Sequence, residues 1–351
     1  MAAAEPSKKK QRVGASEGPS EGGSLCVYMG SEACFSEKAA LAYFSRRASL
    51  SGSMEGVGTY DALFKAVEEG QAQYGIVPIE NSYSGSLHNV YDLLLAHPLH
   101  IVGEIGMVEE YCLVAGKGVK ELSEVKRVCG HPQIMDACSI FLNTLSNGDE
   151  VAERVAAMNS ASACADLKKE LENGSADALA TAAVAPREAA VLHGLEVLAP
   201  GIANDSNAET RYLIIGRHKE RLVELDATAW HADTPYYKTS VVLALSNQQG
   251  SIFKVVSQFA LRNVNIVKVE TRPAATGGSQ VYSTSPRHWD YLFYIDFESS
   301  KSPATNKALM ASLSEFSMYC RELGTYRAHI NSLEVAAPSW SLESLCSVIN
   351  H

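Results

Sequence analysis

Three observations make this chain an α/β protein in two parts. Short apolar runs alternate with helix-periodic stretches from residue 25 to about 217. The rhythm breaks once, at residues 218–237, where "HKERLVELDATAWHADTPYY" carries charge and a proline and reads as a linker. Beyond it, residues 238–330 follow the order β-α-β-β-α-β of a ferredoxin-like unit.

The elements follow in order. "LCVYMG" (25–30) reads as a strand, and Ser36 is a candidate cap for the helix "EKAALAYF". "TYDALFKAVEEG" places Leu63, Phe64 and Val67 on one helical face, and "YGIVPI" follows as a strand. Leu87, Val90, Tyr91, Leu94 and Leu95 have the i, i+3, i+4, i+7, i+8 spacing of a helix with one apolar face. Alternation continues through "KRVCG", "HPQIMDACSIFLNTL", "VAERVAA", "NSASACADLKKEL", "DALATAA", "PREAAVLHG", "LEVLAPG" and "TRYLIIG", so mostly parallel strands covered by helices are expected.

In the second part, "KTSVVLALSN" and "VNIVKVETRP" are strands flanking the helix "GSIFKVVSQFALRN", whose apolar face is Ile252, Val255, Val256, Phe259 and Ala260. "DYLFYIDFES" alternates Tyr291, Phe293, Ile295 and Phe297 as a strand, and "NKALMASLSEF" with "LGTYRAHI" supplies the last helix and strand. Residues 274–289 read as a surface loop, and residues 1–24 and 331–351 as tails.

Composition narrows the function classes. The 351 residues are 46% apolar and 20% charged, enough to build a real core. A net charge of −10 argues against a nucleic-acid partner, and no apolar run is long enough for a membrane span. The eight cysteines form no CxxC pair and HExxH is absent, so no metal site is expected and the thiols read as reduced and intracellular. "KKKQR" in the first tail reads as a solvated basic patch, and the tail's three glutamates, Glu5, Glu17 and Glu21, do not suit a transit peptide. The expected compartment is the cytoplasm as written.

Four polar clusters stand where strands give way to helices: Glu80-Asn81-Ser82, His131-Pro132-Gln133, Asn159-Ser160-Ala161-Ser162 and Thr210-Arg211. In open α/β sheets ligands bind outside the carboxyl ends of strands, where helix N-termini offer free N–H groups to anions. Each cluster also has a plainer reading: Ser160 as a helix cap, His131 as a packed imidazole, Arg211 as a surface charge, Thr210 as an ordinary strand residue. The pattern alone says anion-binding cleft. No GxGxxG fingerprint, phosphate loop or GxSxG elbow occurs, which disfavours nucleotide-dependent chemistry and serine hydrolysis.

"YMGSEACFSEKAA", "GIVPIENSYSGSLHNVYDLL", "HPQIMDAC", "GLEVLAPGI" and "TRYLIIG", in that order, resemble the signatures of the prephenate dehydratase family. "GSIFKVVSQFALRNVNIVKVETRP" and "DYLFYIDFE" look like its ACT regulatory domain, and the likeness spans about residues 25–330. "HPLHIVGEI" and the long loop in the second part look closest to the plant-type arogenate dehydratases, which also admits the plastid stroma as compartment.

The resemblance implies two lobes around a cleft, as in a periplasmic binding protein, with chain crossings near residues 104 and 204. It implies decarboxylative dehydration of arogenate or prephenate, without a cofactor. Its catalytic residues fall on Thr210, Asn81 and Gln133, and substrate-binding positions on Glu80, Ser82, Ser84, Gly85, Ser160 and Arg211. Arg211 or a helix N-terminus is expected to hold the substrate's retained carboxylate. L-Phenylalanine would act as effector between chains, against Gly250, Ser251, Ile252, Glu270, Thr271 and Arg272, in a homodimer or homotetramer. The chain departs from the family pattern in several places. Tyr212 stands for Phe after Thr-Arg, Ala208 lies where Asn is frequent, Ala33-Cys34 replaces Gly-Thr, and Ser251 and Thr271 replace Ala and Ser. A two-lobed amino-acid sensor and a catalytically silent subunit share the same fold and remain alternatives at this point.

Overall fold

The computed structural model describes residues 24–45, 50, 52–147, 150–219, 237–274, 290–299 and 302–328. The tails, nearly all of the expected linker and the expected loop from residue 275 onward lie outside them.

The first lobe is built on β1 (Ser24–Met29), β2 (Met54–Val57), β3 (Ala72–Asn81), β4 (Gly85–Ser86) and β5 (His100–Val108), with helices α1 (Phe35–Phe44), α2 (Tyr60–Glu68) and α3 (His88–Ala96). Helix α2 buries Leu63, Phe64, Ala66 and Val67, and α3 buries Val90, Tyr91, Leu94 and Leu95, as their periodicity requires. The cap of α1 is Cys34 rather than Ser36: the Cys34 Sγ accepts from the backbone N–H of Glu37. Ala33, just before it, takes a left-handed φ of 63°.

The second lobe comprises β6 (Cys112–Ala115), β7 (Arg127–Gly130), α4 (Pro132–Ala137), α5 (Ser139–Leu142), β8 (Ser146–Asn147), β9 (Glu150–Val151), β10 (Glu153–Ala156), α6 (Ser160–Glu172), β11 (Thr181–Ala185), α7 (Arg187–His193) and β12 (Glu196–Ala199). The chain then returns to the first lobe as β13 (Glu209–Gly216). The first sheet has the order β2-β1-β3-β13-β5 and the second β10-β7-β11-β6-β12.

Neither sheet is mostly parallel. Strands β1, β2 and β3 are parallel, but β13 runs antiparallel to both β3 and β5, and β6 runs antiparallel to β11 and β12. The cause is the two-way traffic between lobes: a chain that leaves one sheet and comes back must run against its neighbours. Residue 104, expected at the first crossing, lies within β5; the chain leaves the lobe at residues 109–111 and returns over 200–208.

The last unit contains β14 (Tyr237–Ala244), α8 (Ser251–Ala260), β15 (Ile266–Pro273), β16 (Tyr291–Glu298), α9 (Pro303–Phe316) and β17 (Tyr319–Arg327). Its antiparallel sheet has the ferredoxin-like order β15-β16-β14-β17. One face packs on α8 and α9 through Val241, Leu243, Phe259, Phe297, Leu309 and Leu313. Of the apolar stripe expected on α8, only Val255 and Phe259 are buried; Ile252, Val256 and Ala260 are exposed.

The other face of this sheet is also apolar, and it lies against the first lobe. Leu292, Tyr294, Leu323 and Tyr326 join one core cluster with Tyr91, Leu99, Ile101, Leu213 and Ile215. This explains why β16 is apolar at successive positions instead of alternating. Tyr91 and Tyr294 meet edge to face at 5.0 Å, and the Tyr294 hydroxyl donates to the Tyr91 carbonyl at 3.0 Å. Arg321 donates to four carbonyls, of Leu94, Leu95, His97 and Leu99, and so neutralises the C-terminal end of α3. Gly324 is required at the contact, since a Cβ there would lie 2.0 Å from the Ile101 carbonyl oxygen.

Candidate active site

Between the lobes lies a cleft whose walls come from the strand ends and helix starts flagged by the sequence. Thr210, on β13, is 5% exposed and pairs across the sheet with Asn81 at the end of β3. The Asn81 Nδ2 donates to the Thr210 Oγ1 at 2.9 Å. Its Oδ1 accepts from the backbone N–H groups of Tyr83 and Ser84, at 2.9 and 3.0 Å. This turn fixes the amide orientation, because only the Nδ2 can face Thr210.

From the second lobe, Gln133 reaches across and donates to the Ser84 Oγ at 3.0 Å. Further links between the lobes are Ser31 to Asn159 at 3.2 Å and Lys38 to Glu188 at 2.6 Å. Asn204, on the returning crossing, donates to the Tyr83 hydroxyl at 2.9 Å and to the Ser139 Oγ at 3.1 Å.

Ser160 opens α6 behind a capping box in which Asn159 and Ser162 exchange side-chain-to-backbone hydrogen bonds. Its hydroxyl is therefore not the cap. Ser160 is 4% exposed, its Oγ has no hydrogen-bond partner among the described residues, and it lines the cleft. A buried orphan hydroxyl beside free helix N–H groups suits an anion.

Of the residues expected in the site, Thr210, Asn81, Gln133, Ser84 and Ser160 line the cleft. Glu80 and Arg211 do not, and strand alternation is the reason: they pair with each other one residue along from Asn81 and Thr210, on the opposite face. There Arg211 meets Glu80 at 2.6 Å, Glu104 at 3.1 Å and Asp296 at 2.9 Å, while Lys238 holds Glu104 at 2.9 Å and Lys268 contacts Glu80. Arg211 therefore joins the first lobe to the last unit and is not placed to hold a ligand in the cleft. Burial alone would lower its pKa, but Asp296, Glu104 and Glu80 raise it well above the usual value. Ser82 is spent on the backbone of Glu209, accepting its N–H at 2.9 Å, and Gly85 sits in the short strand β4 at a φ of 85°.

The positions expected to bind an effector also divide by face. Glu270 accepts from Ser86 at 2.5 Å, and Arg272 clamps Asp92 through two bonds, of 3.1 and 2.6 Å, so both point at the first lobe. Thr271 between them is exposed. Gly250, at a φ of 76°, starts α8; Ser251 is buried behind it and Ile252 is 55% exposed.

Tyr212, singled out in the sequence as the departure from Phe, belongs to an aromatic and acidic wall whose other members, Phe35, Tyr60, Glu109 and Tyr111, the sequence reading missed. Phe35 and Tyr111 pack edge to face at 5.2 Å. Glu109 accepts from the Tyr111 hydroxyl at 2.7 Å and the Tyr212 hydroxyl at 2.5 Å. Burial pushes its pKa up, against hydrogen bonds from Tyr212, Tyr111 and Thr210. Burial likewise lifts Tyr60 to about 12 and Cys34 to about 11, so the thiol stays protonated, and it lowers His131, which stays neutral. Among the described residues no cluster of His, Cys, Asp and Glu could hold a metal ion.

Residues 26–220 match the family model described as prephenate dehydratase. The chain belongs to the prephenate dehydratase family. Two plant relatives, arogenate dehydratase 2 of Petunia hybrida and arogenate dehydratase/prephenate dehydratase 1, chloroplastic, of Arabidopsis thaliana, are each 38% identical over 271 residues. Those matches cover 76% of this chain and 64% of each relative, so the chain spans less than two thirds of their length. A crystal structure of prephenate dehydratase from Arthrobacter aurescens, in complex with L-Phe, superposes with a TM-score of 0.67 at 25% identity. It covers 93% of this chain and 97% of the other, so the prephenate dehydratase likeness extends through the C-terminal sheet.

Proposed function

We propose that this chain is a dehydratase that converts arogenate, prephenate or both into L-phenylalanine or phenylpyruvate, with loss of CO2 and water. The observation that carries the reading is the Thr210 hydroxyl, buried at the cleft wall and fixed by the Asn81 amide. The substrate ring bears a carboxylate at one end and a hydroxyl across from it. Losing both makes the ring aromatic, so the catalyst has mainly to help the hydroxyl leave and to align the two breaking bonds.

Because Asn81 donates to the Thr210 oxygen, the threonine's own hydrogen can turn from its neighbour Glu109 to the leaving oxygen. Gln133 is a neutral donor on the facing lobe, suited to orienting the ring. With Arg211 engaged elsewhere, the retained side-chain carboxylate is assigned to the N-terminus of α6, where Ser160 has an unused hydroxyl. The carboxylate that departs is held loosely, because stabilising it would oppose decarboxylation.

The C-terminal sheet is assigned as an ACT domain that binds L-phenylalanine. The L-Phe complex of the Arthrobacter aurescens protein supports this, and the exposed apolar residues Ile252, Phe253 and Val256 of α8 and Val269 of β15 suit a second copy in a homodimer or homotetramer. The effector would bias the cleft through its different affinity for the cleft's two states.

The test is turnover of purified arogenate and prephenate in parallel, following the aromatic product. Both products should be sought, and Thr210→Val should lower kcat by about 10²–10⁴ while Thr210→Ser retains more. Absence of turnover with either substrate would refute the assignment.

A further inference from the structure

Resting on the dehydratase reading, we propose that Glu109 is the proton source behind Thr210, supplying through the threonine hydroxyl the proton that leaves with the substrate's hydroxyl group. Glu109 is the first residue of the crossing between lobes and lines the cleft beside Thr210 and Tyr212.

The need for such a group follows from Thr210 itself. An alcohol that gives up its proton unaided becomes an alkoxide, a poor species to form in a buried site. The Thr210 oxygen accepts from Asn81, whose amide cannot turn because its Oδ1 holds two backbone N–H groups. One further position on that oxygen is open to a donor. The Glu109 carboxyl lies beside Thr210 in the cleft wall: as a carboxylate it takes the threonine's hydrogen, and once protonated it can donate to the threonine's oxygen instead. A protonated Glu109 can therefore refill the threonine as the threonine's hydrogen moves on.

The surroundings favour that protonated form. The titratable groups facing Glu109 are Tyr111 and Tyr212, Tyr60 from α2, Cys34 at the cap of α1 and Lys38 within that helix. None is a cation in contact with it: the Lys38 Nζ is 2.6 Å from Glu188, and the neighbouring Glu110 turns outward to Arg187 at 3.3 Å. Burial outweighs the hydrogen bonds and holds the carboxyl above its ordinary pKa.

The step balances. The proton on Glu109 passes to the Thr210 oxygen, and the threonine's hydrogen passes to the substrate hydroxyl. The C–O bond breaks with its electron pair, which leaves on water, while the pair of the breaking C–CO2 bond enters the ring and CO2 departs. Glu109 is left as carboxylate and takes a proton from solvent, the one proton that losing both water and CO2 from a carboxylate consumes.

Full-length wild type, Glu109→Gln and Tyr212→Phe are compared by kcat and KM across pH. In wild type kcat should decline as pH rises through the Glu109 pKa, because the donor must be protonated. Glu109→Gln should lose that alkaline limb and about 10²–10⁴ in kcat, with KM within a few-fold. Tyr212→Phe removes a hydrogen bond that favours the carboxylate, so its alkaline limb should move to higher pH even if Glu109→Gln folds poorly. An active wild type whose limb is unmoved in Tyr212→Phe, or a Glu109→Gln with full kcat and the same limb, overturns the role of Glu109 and leaves the dehydratase reading intact. A wild type inactive on both substrates overturns the two together.

Discussion

Replacing Arg211 with methionine isolates what this residue does, because the new side chain is about as long and carries no charge. In the structure the Arg211 side chain is 15% exposed and its guanidinium touches Glu80, Glu104 and Asp296, whose side chains are 28%, 1% and 12% exposed. Without it, these three carboxylates face two cations, Lys238 and Lys268, where they had three. Glu104 retains Lys238, Glu80 retains Lys268, and Asp296 retains the Ser240 hydroxyl at 2.6 Å. Breaking a buried ion cluster by removing one partner costs about 3–5 kcal/mol. At roughly 2–4 °C per kcal/mol for a chain region of this size, Tm should fall by about 6–20 °C. Asp296→Asn, added to Arg211→Met, removes the least compensated anion and should recover part of the loss, with a coupling of about 1–3 kcal/mol. Thermal unfolding followed by circular dichroism measures both, and steady-state kinetics should return a KM within a few-fold of wild type. A variant with unchanged Tm and a KM raised many-fold would mean that Arg211 binds substrate after all and that the ion cluster contributes nothing.

Two further substitutions test the docking and the first motif. Gly324→Ala puts a Cβ 2.0 Å from the Ile101 carbonyl oxygen, a backbone atom that cannot step aside, so stability should drop by about 1–3 kcal/mol in thermal melts; an unaltered melt would mean that β17 and β5 do not meet as described. Ala33→Gly relieves a left-handed residue at a φ of 63° and should raise the denaturant midpoint by the equivalent of about 0.5–1 kcal/mol, net of the looser unfolded chain. A lower midpoint would show that the Ala33 side chain contributes more than its backbone costs.

What the sequence made legible was whatever depends on local periodicity. The faces of α2 and α3 were readable because four buried residues in each fall on one stripe. Thr210, Asn81, Gln133, Ser84 and Ser160 were readable as polar residues at strand ends or helix starts, and these are the ones at the cleft. Glu80 and Arg211 were misplaced because adjacent strand residues point to opposite faces, and proximity in sequence to Asn81 and Thr210 hid that. Glu109 and Tyr111 gave no signal because they lie in a three-residue crossing with no period to read. The alternation expected in β16 puts Phe293, Ile295 and Phe297 on the helix-covered face, but Leu292 and Tyr294 are buried as well for a tertiary reason: the second face is covered by the first lobe, which no local pattern announces. The same applies to Glu270 and Arg272, whose partners Ser86 and Asp92 lie more than 170 residues earlier in the chain.

Strand β13 lies between β3 and β5 and is hydrogen-bonded to both. During synthesis β3 and β5 emerge long before it, so the first lobe exists for a time as a sheet split down its middle, with two unpaired edges. The entire second lobe must be made in that interval, and Thr210 arrives only with the strand that closes the gap. The pairings of β13 span more than 100 residues, which makes this closure a slow, high-contact-order step. The same strand carries Arg211, so the surface that receives the last unit is completed in the same event. Chains interrupted between residues 110 and 208 therefore present open β-edges to one another, and aggregation of such fragments is the specific hazard that this topology carries.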